Sequence, residues 1–166
     1  MSDQSINRRD FFRGAKRHAD SVVVRPPGIT TEGLSRCTSC KDCATACPEQ
    51  VIGFGPDKMP FLAFAQGGCS FCGDCASACQ HDVFDPEHMT LNADVAIASK
   101  CLLQAGTSCQ ICTDFCDAEA LRFDLSVRPF GVIHIDNAAC TGCGFCVSAC
   151  PVDAISVTTN RQKVAA

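Results

Sequence analysis

Residues 140–151 read CTGCGFCVSACP, and their four cysteines have the spacing C-x2-C-x2-C-x3-C. The same spacing recurs at residues 37–47 and 69–79. It is typical of cysteines that bind [4Fe–4S] clusters. The first three cysteines wrap a loop around three corners of a cube, whereas the fourth follows on a helical turn and points away from that loop. The spacing therefore predicts that a fourth cysteine can bind the cluster of a neighbouring set.

All sixteen cysteines of the 166-residue chain fall into four sets of this kind. Successive sets begin 32, 32 and 39 residues apart, which indicates a fourfold internal repeat. The predicted cluster ligands are, set by set, Cys37, Cys40, Cys43 and Cys47; Cys69, Cys72, Cys75 and Cys79; Cys101, Cys109, Cys112 and Cys116; and Cys140, Cys143, Cys146 and Cys150. We therefore predict four [4Fe–4S] clusters. Sequential pairing of sets (one with two, three with four) and nested pairing (one with four, two with three) both stay open.

The third set departs from the common spacing, because Cys101 lies eight residues before Cys109 rather than three. The intervening residues would form a loop, in which Gly106 provides backbone freedom, and this loop can still bring Cys101 to the missing corner. The alternative is that Cys101 is a small buried residue, which would leave three complete clusters. We favour four clusters, since an iron site lacking one thiolate would be unusual.

Other uses of cysteine fit the spacing less well. Zinc sites usually have two C-x2-C pairs separated by a dozen or more residues, whereas here four thiols lie within eleven residues in three of the sets. A disulfide framework needs an oxidising compartment, which nothing else in the sequence indicates. Iron–sulfur binding is therefore the preferred interpretation.

Short strands and helical turns are predicted around each set. In the last repeat, residues 132–135 are predicted as a strand, residues 144–149 as a helical turn and residues 154–158 as a second strand. Further strands are predicted at residues 51–54, 60–65, 94–98 and 121–127. The pattern indicates an α+β fold of tandem bacterial ferredoxin-like units, in which β-loop-α-β repeats are organised around iron–sulfur clusters.

A repeat of about 32 residues cannot bury a face alone, so we expect the repeats to pair into domains. The predicted domains are residues 34–90, with repeats one and two, and residues 91–160, with repeats three and four. A basic arm at residues 1–33 precedes them, and a tail at residues 161–166 follows.

The apolar core is expected to be small. Leu, Ile, Val and Phe together make up 38 residues, about 23% of the chain, and Trp and Tyr are absent. This fraction is only slightly above the level of about 20% below which chains are usually disordered. Clusters would therefore occupy the interior that side chains fill elsewhere, and we expect folding to depend on them.

Charge and motif content exclude several classes of function. Residues 37–166 carry seven Lys and Arg against fourteen Asp and Glu, which disfavours nucleic acid as a partner. No apolar run approaches the roughly 18 residues of a membrane span. Nucleotide-binding glycine motifs are absent, and the four histidines accompany no nucleophile or carboxylate pair. We therefore predict no substrate site, and a protein that is not an enzyme.

The environment of the clusters can also be predicted. Three basic residues near the sets are expected to offset cluster charge, namely Lys41, Lys100 and Arg122. Three phenylalanines within the cysteine loops are expected to shield clusters from water, namely Phe71, Phe115 and Phe145.

The basic arm begins like a twin-arginine export signal, with Arg8 and Arg9 before Phe11 and Phe12. The polar residues 14–20 then replace the apolar stretch that such a signal needs, so we expect no export. Two interpretations stay open: a flexible basic arm, or an amphipathic segment that docks on a partner through these four side chains.

Four features together resemble a known family: the Arg8-Arg9 pair, the Arg25-Pro26-Pro27 turn, the CSFC loop at residues 69–72 and the ending at residues 139–152. The sequence is similar to the ferredoxin-type proteins encoded with bacterial periplasmic nitrate reductases, through nearly its whole length. The shifted third set and the unfinished twin-arginine start are the more specific features. The resemblance implies a cytoplasmic protein that contacts the molybdenum-containing nitrate reductase catalytic subunit. It also implies help in installing or maintaining that subunit's iron–sulfur cluster before export.

The leading hypothesis is therefore a cytoplasmic multi-cluster accessory protein for maturation of that catalytic subunit. One alternative is an electron-transfer polyferredoxin subunit of a redox enzyme complex. A second is a cysteine module that binds zinc or senses oxygen.

Overall fold

A computed structural model describes residues 23–91 and 93–159. In these ranges the chain forms five short helices and six short strands. Their order is α1 (Thr31–Ser35), α2 (Asp42–Thr45), β1 (Ile52–Phe54), β2 (Pro60–Leu62), α3 (Asp74–Ser77), β3 (Ala93–Ile97), α4 (Ile111–Asp114), β4 (Leu121–Asp124), β5 (Val132–Ile135), α5 (Phe145–Ala149) and β6 (Ile155–Thr159). None of the helices in the described ranges has the length and apolar character needed to cross a bilayer.

The strands form three antiparallel pairs, β1 with β2, β3 with β6 and β4 with β5. An isolated bridge also joins Ile29 to Phe84. The pairing is nested in the same way on both sides of residue 92. The strands between two cysteine sets pair with each other, and the segments that flank those sets pair outside them. We call residues 23–91 the first half and residues 93–159 the second half.

Ten of the twelve predicted strand ends lie within one residue of the observed ends. Strand β5 has the predicted bounds, and β1, β3 and β6 differ from their predictions by one residue at one or both ends. The predictions for residues 60–65 and 121–127 were too long, because β2 ends at Leu62 and β4 ends at Asp124. The Asp124 side chain accepts a hydrogen bond from the N–H of Ser126 at 2.8 Å, which starts a turn there.

Ten of the sixteen buried hydrophobic residues in the described part of the chain form two small clusters. The first contains Val24, Val51, Leu62, Phe64, Leu91 and Ala93, and the second contains Val95, Leu121, Cys146 and Ile155. Cysteines are part of this core: Cys47 and Cys69 pack against the first cluster, and Cys112, Cys116, Cys140 and Cys150 pack against the second. No polar or charged residue is buried within the described ranges. Cys43, Cys75 and Cys146 are themselves buried, so thiol groups form part of the interior.

Part of the predicted basic arm, residues 24–27, packs against the rest of the first half. Pro26 and Pro27 are almost completely buried, and the carbonyl of Val24 accepts a hydrogen bond from the N–H of Leu62 at 2.8 Å. Arg25 donates to the carboxylate of Asp57 at 2.8 Å. Residues 24–27 thus run alongside β2. Residues 1–22, with the predicted docking side chains of Arg8, Arg9, Phe11 and Phe12, and the predicted tail at residues 161–166 lie outside the described residues.

Candidate iron–sulfur centres

The sixteen cysteines surround four hollows, each lined by four thiols. The hollows have volumes between about 320 and 360 Å³, part of which is open to solvent. Site I is lined by Cys37, Cys40, Cys43 and Cys79; site II by Cys47, Cys69, Cys72 and Cys75; site III by Cys101, Cys109, Cys112 and Cys150; and site IV by Cys116, Cys140, Cys143 and Cys146.

Each site takes three cysteines from one set and the last cysteine from another. Sets one and two exchange their last cysteines, and so do sets three and four. The arrangement corresponds to the sequential pairing of sets. It also follows the geometry expected of the spacing, in which the fourth cysteine points away from its own loop.

Cys101 lies at site III with Cys109, Cys112 and Cys150. The inserted loop is compact, because the N–H of Ala105 donates to the carbonyl of Cys101 at 2.9 Å and that of Thr107 donates to Leu102 at 2.8 Å. Gly106 has a φ of 86°, a left-handed conformation that glycine adopts without cost. The loop thus returns the chain to the hollow, and this position favours Cys101 as a ligand rather than a packing residue.

Left-handed backbone conformations recur at fixed positions in the cysteine loops. In sets one, two and four, they occur two residues after the first cysteine, at Ser39, Phe71 and Gly142, and one residue after the second cysteine, at Lys41, Gly73 and Gly144. A left-handed residue followed by a right-handed one forms a concave nest of backbone N–H groups that attracts anions. The backbone of these three loops is therefore suited to stabilise negative charge, such as that of ionised cysteine thiols.

All four sets share one further left-handed residue, three positions after the last cysteine. These residues are Gln50, Asp82, Glu119 and Asp153. Beside the last of them, the N–H of Ala154 donates to the sulfur of Cys150 at 3.2 Å. Non-glycine residues seldom adopt this conformation, so its recurrence indicates that the cysteine positions constrain the backbone.

Burial opposes ionisation of the third cysteine of each set. Desolvation raises the pKa of Cys43 to about 11 and that of Cys75 to about 12. It likewise raises the pKa of Cys112 to about 11 and that of Cys146 to about 12. Neighbouring thiolates of the same site raise these pKa values further. Four thiolates can share such a site only if a positively charged group lies among them.

The donor set fits an iron–sulfur cluster. Thiolate sulfur is a soft ligand that selects iron–sulfur clusters, zinc or copper(I). Within residues 23–91 and 93–159, no three cysteine, histidine or carboxylate side chains are placed to hold a single metal ion together. The four sulfurs of each site instead surround a hollow, and this arrangement fits a group with several metal atoms.

The remaining walls of the hollows are largely apolar. Of the three phenylalanines expected to shield clusters, Phe71 lies at site II and Phe115 at site IV, whereas Phe145 packs against Gly68. Pro26 and Pro27 also line site II, and the sequence pattern did not assign them to it. Their signal was the Arg25-Pro26-Pro27 turn, since adjacent prolines make a rigid apolar segment without N–H donors.

The predicted basic residues are placed in different ways. Lys41 lines site I. Arg122 donates from Nε to the carbonyl of Glu119 at 3.1 Å, close to the last cysteine of the third set. Lys100 is exposed and directly precedes Cys101. Of the four histidines, His81 lies at the wall of site I.

Four cysteine-lined hollows in a fold of short strands and helices define an iron–sulfur protein of the ferredoxin type. Residues 36–83 match the family described as "4Fe-4S dicluster domain", and residues 133–156 match the family described as "4Fe-4S binding domain". Ferredoxin-type protein NapF of Haemophilus influenzae is 34% identical, over 98% of this chain and 99% of its own. Ferredoxin-type protein NapF of Escherichia coli K12 is 32% identical, over 90% of this chain and 93% of its own. The chain belongs to the NapF family of ferredoxin-type proteins.

This membership confirms the family resemblance drawn from the cysteine sets and the Arg25-Pro26-Pro27 turn. It also confirms the prediction of [4Fe–4S] binding. Ferredoxin-type proteins carry electrons on clusters rather than convert a substrate, in agreement with the prediction that the chain is not an enzyme.

Proposed function

We propose that this protein carries four [4Fe–4S] clusters in the cytoplasm and assists maturation of a periplasmic nitrate reductase catalytic subunit before that subunit is exported. The observation that carries the proposal is the grouping of all sixteen cysteines into four sites of four thiols. The nitrate reductase as partner rests on membership of the NapF family. Two cluster-binding domains, at residues 34–90 and 91–160, are part of the proposal.

The residues of sites I to IV would hold one cluster each. A bound [4Fe–4S] cluster supplies reversible one-electron transfer. The chain contributes the thiolates, the backbone N–H groups of the left-handed loops and the apolar walls that limit access of water. Exchange of the last cysteines ties two sites together within each half. Because Cys101 completes site III, its position supports four clusters rather than three.

Access to the sites supports exchange with a partner. Cys40 of site I and Cys72 of site II are exposed, so these two sites open onto the surface. Through such openings a docked protein can take up electrons or cluster components. A protein that donates electrons or cluster components must keep its own sites accessible to the recipient. A role in maturation therefore requires sites that open onto the surface.

The number of clusters is tested by measuring iron and acid-labile sulfide in anaerobically isolated protein. Four clusters correspond to about sixteen irons per chain, and three correspond to about twelve. An EPR spectrum of the reduced protein checks that the iron is present as [4Fe–4S] clusters. Colourless protein loaded with zinc would overturn the proposal and favour a zinc module.

The maturation role is tested with the catalytic subunit itself. The protein is expected to bind the immature subunit, which lacks its iron–sulfur cluster, more tightly than the mature subunit in calorimetry. A strain without this protein is expected to export nitrate reductase with lower activity and lower iron content. Full activity and full iron content in that strain would overturn the role.

A plain electron carrier is the second candidate, favoured by the exposed Cys40 and Cys72. Such a carrier would bind mature and immature subunits equally and would turn over many times with a purified reductase.

A chain lacking residues 1–20 provides a further test of docking. Under the maturation proposal, this deletion weakens binding to the immature subunit while the iron content stays unchanged. Unchanged affinity would dismiss a docking role for Arg8, Arg9, Phe11 and Phe12.

A further inference from the structure

The two halves of the molecule meet at cysteines of two different sites. The N–H of Cys69, in site II, donates to the carbonyl of Cys143, in site IV, at 2.7 Å. This is a direct backbone hydrogen bond between residues that line sites of separate halves. Site II and site IV therefore adjoin across the boundary between the halves.

Two buried glycines flank this hydrogen bond, and each packs against an aromatic ring of the opposite half. A Cβ on Gly68 would lie 2.6 Å from the ring of Phe145 and 2.7 Å from the backbone nitrogen of Phe145. A Cβ on Gly144 would collide with the ring of Phe64. Real Cβ atoms do not approach other atoms so closely, so a side chain at either position would displace the facing phenylalanine of the opposite half. The close contact thus depends on glycine at both places.

Within each half, two short helices join the neighbouring sites, and each helix carries a cysteine of one site and is followed by a cysteine of the other. Cys43 and Cys47 flank the end of α2 and line sites I and II, respectively. Cys112 and Cys116 are placed in the same way at α4 and line sites III and IV. Combined with the contact between Cys69 and Cys143, these connections arrange the sites in one row, in the order I, II, IV, III.

We propose that Gly68 and Gly144 are positioning residues that hold site II against site IV, so that the four clusters form a single electron path through both halves. This inference rests on the proposed function. With clusters bound, each step would pass one electron from a reduced cluster, which would be oxidised, to the next cluster in the row, which would be reduced. No covalent bond changes and no proton moves. The electron comes from a one-electron donor protein and goes to a one-electron acceptor protein.

The order of the row is tested by removing site I from the full chain. The variant Cys37→Ala/Cys40→Ala loses two thiols of site I, and its iron content is expected to fall by about four. In the reduced protein, the cluster of site II then has its only magnetic neighbour across the boundary, in site IV. A single row predicts that EPR shows the site II signal still split by spin coupling. Two independent halves predict a sharp, uncoupled signal from site II, which would overturn the inference.

The role of the glycines is tested with a matched pair of variants. Gly68→Ala introduces the clash with Phe145, whereas a Cβ on the adjacent Gly67 would lie 3.4 Å from Val51, an ordinary contact. Combined with removal of site I, Gly68→Ala is expected to weaken the coupling between sites II and IV, and Gly67→Ala to leave it unchanged. Equal coupling in both variants at equal iron content would overturn the positioning role.

Iron content separates the two levels of the proposal. About sixteen irons in the unaltered chain, with no coupling between sites II and IV once site I is removed, would leave the proposed function intact and overturn the single path. An unaltered chain that binds no [4Fe–4S] clusters would overturn both.

Discussion

The two halves of the molecule place their cysteines in the same way, but the segments that flank the cysteine sets pair differently. Each half has two sites that exchange a cysteine and one inner pair of strands. In the second half, β3 and β6 close the outside with five paired residues. In the first half, the corresponding closure is a single bridge between Ile29 and Phe84. Residues 24–27 cover this half instead, through buried prolines and the contact of Arg25 with Asp57.

The difference indicates that cluster binding constrains the cysteine loops and leaves the outer strands free to vary. The cysteine loops and their left-handed residues recur in both halves, whereas the outer strands vary. The exposure of the thiols varies as well: Cys40 and Cys72 are exposed in the first half, and none of the eight cysteines that line sites III and IV is exposed. We therefore expect the first half to depend more on its clusters, because the outer strands of the second half are paired over five residues.

Cluster removal should have the largest effect and should separate the halves. Metal-free protein is expected to lose most of its far-ultraviolet circular dichroism, because buried thiols and a small apolar core are left without the group that joins them. Residual protection against hydrogen exchange is expected in β3 and β6 and not at Ile29 and Phe84. A cooperative thermal transition of the metal-free protein would contradict the dependence on clusters.

The next largest effect is the loss of one cluster, and it compares the irregular set with a regular one. Cys101→Ala in the second half and Cys37→Ala in the first remove the first cysteine of their sets. Because each lines a four-thiol site, each variant is expected to lose one [4Fe–4S] cluster, or about four irons. Iron and sulfide analysis under anaerobic conditions measures the loss. Full iron content in Cys101→Ala alone would show that the irregular set does not need this thiol.

Much of the site follows from the sequence, because the spacing of the cysteines is itself the geometric constraint. Helices α2, α3 and α5 each begin two residues after the second cysteine of a regular set, where the ligand spacing places a helical turn. The sequence does not reveal the partners of the sets, since exchange of Cys47 and Cys79 depends on contacts between segments about thirty residues apart. The left-handed conformations of Ser39, Lys41 and Phe71 also carry no glycine signal.

The parts of the fold that escaped prediction are those that tertiary packing decides. The pattern of residues 60–65 continues as a strand would, but β2 ends at Leu62 and Phe64 packs against Gly144 of the other half. Nothing local distinguishes Gly68 from Gly67, although only Gly68 is pressed against Phe145. Contacts of this kind depend on a neighbour that is distant in the sequence.

Air exposure should produce a smaller, kinetic difference between the halves. Clusters in sites I and II are expected to be lost before those in sites III and IV, because Cys40 and Cys72 leave a path for oxygen. The protein can be sampled during exposure, reduced and alkylated without denaturation, and the labelled cysteines identified by mass spectrometry. Labels should appear first on the cysteines that line sites I and II. Simultaneous labelling of all four sites would show that thiol exposure does not determine the order of cluster loss.

The smallest expected effect concerns the cover of the first half. Arg25→Ala removes two hydrogen bonds. One, to the carboxylate of Asp57, lowers the pKa of Asp57 in the unaltered protein, and the other goes to the carbonyl of Pro60 at 2.8 Å. The contact lies at the surface, so only a modest change is expected. Because Pro26 and Pro27 line site II, loosening this segment should speed iron loss from the first half. Arg128→Ala is the matched control, since Arg128 is exposed in the second half and lines none of the four sites. Iron release to a chelator under anaerobic conditions measures both, and equal rates in the two variants would show that residues 24–27 do not protect site II.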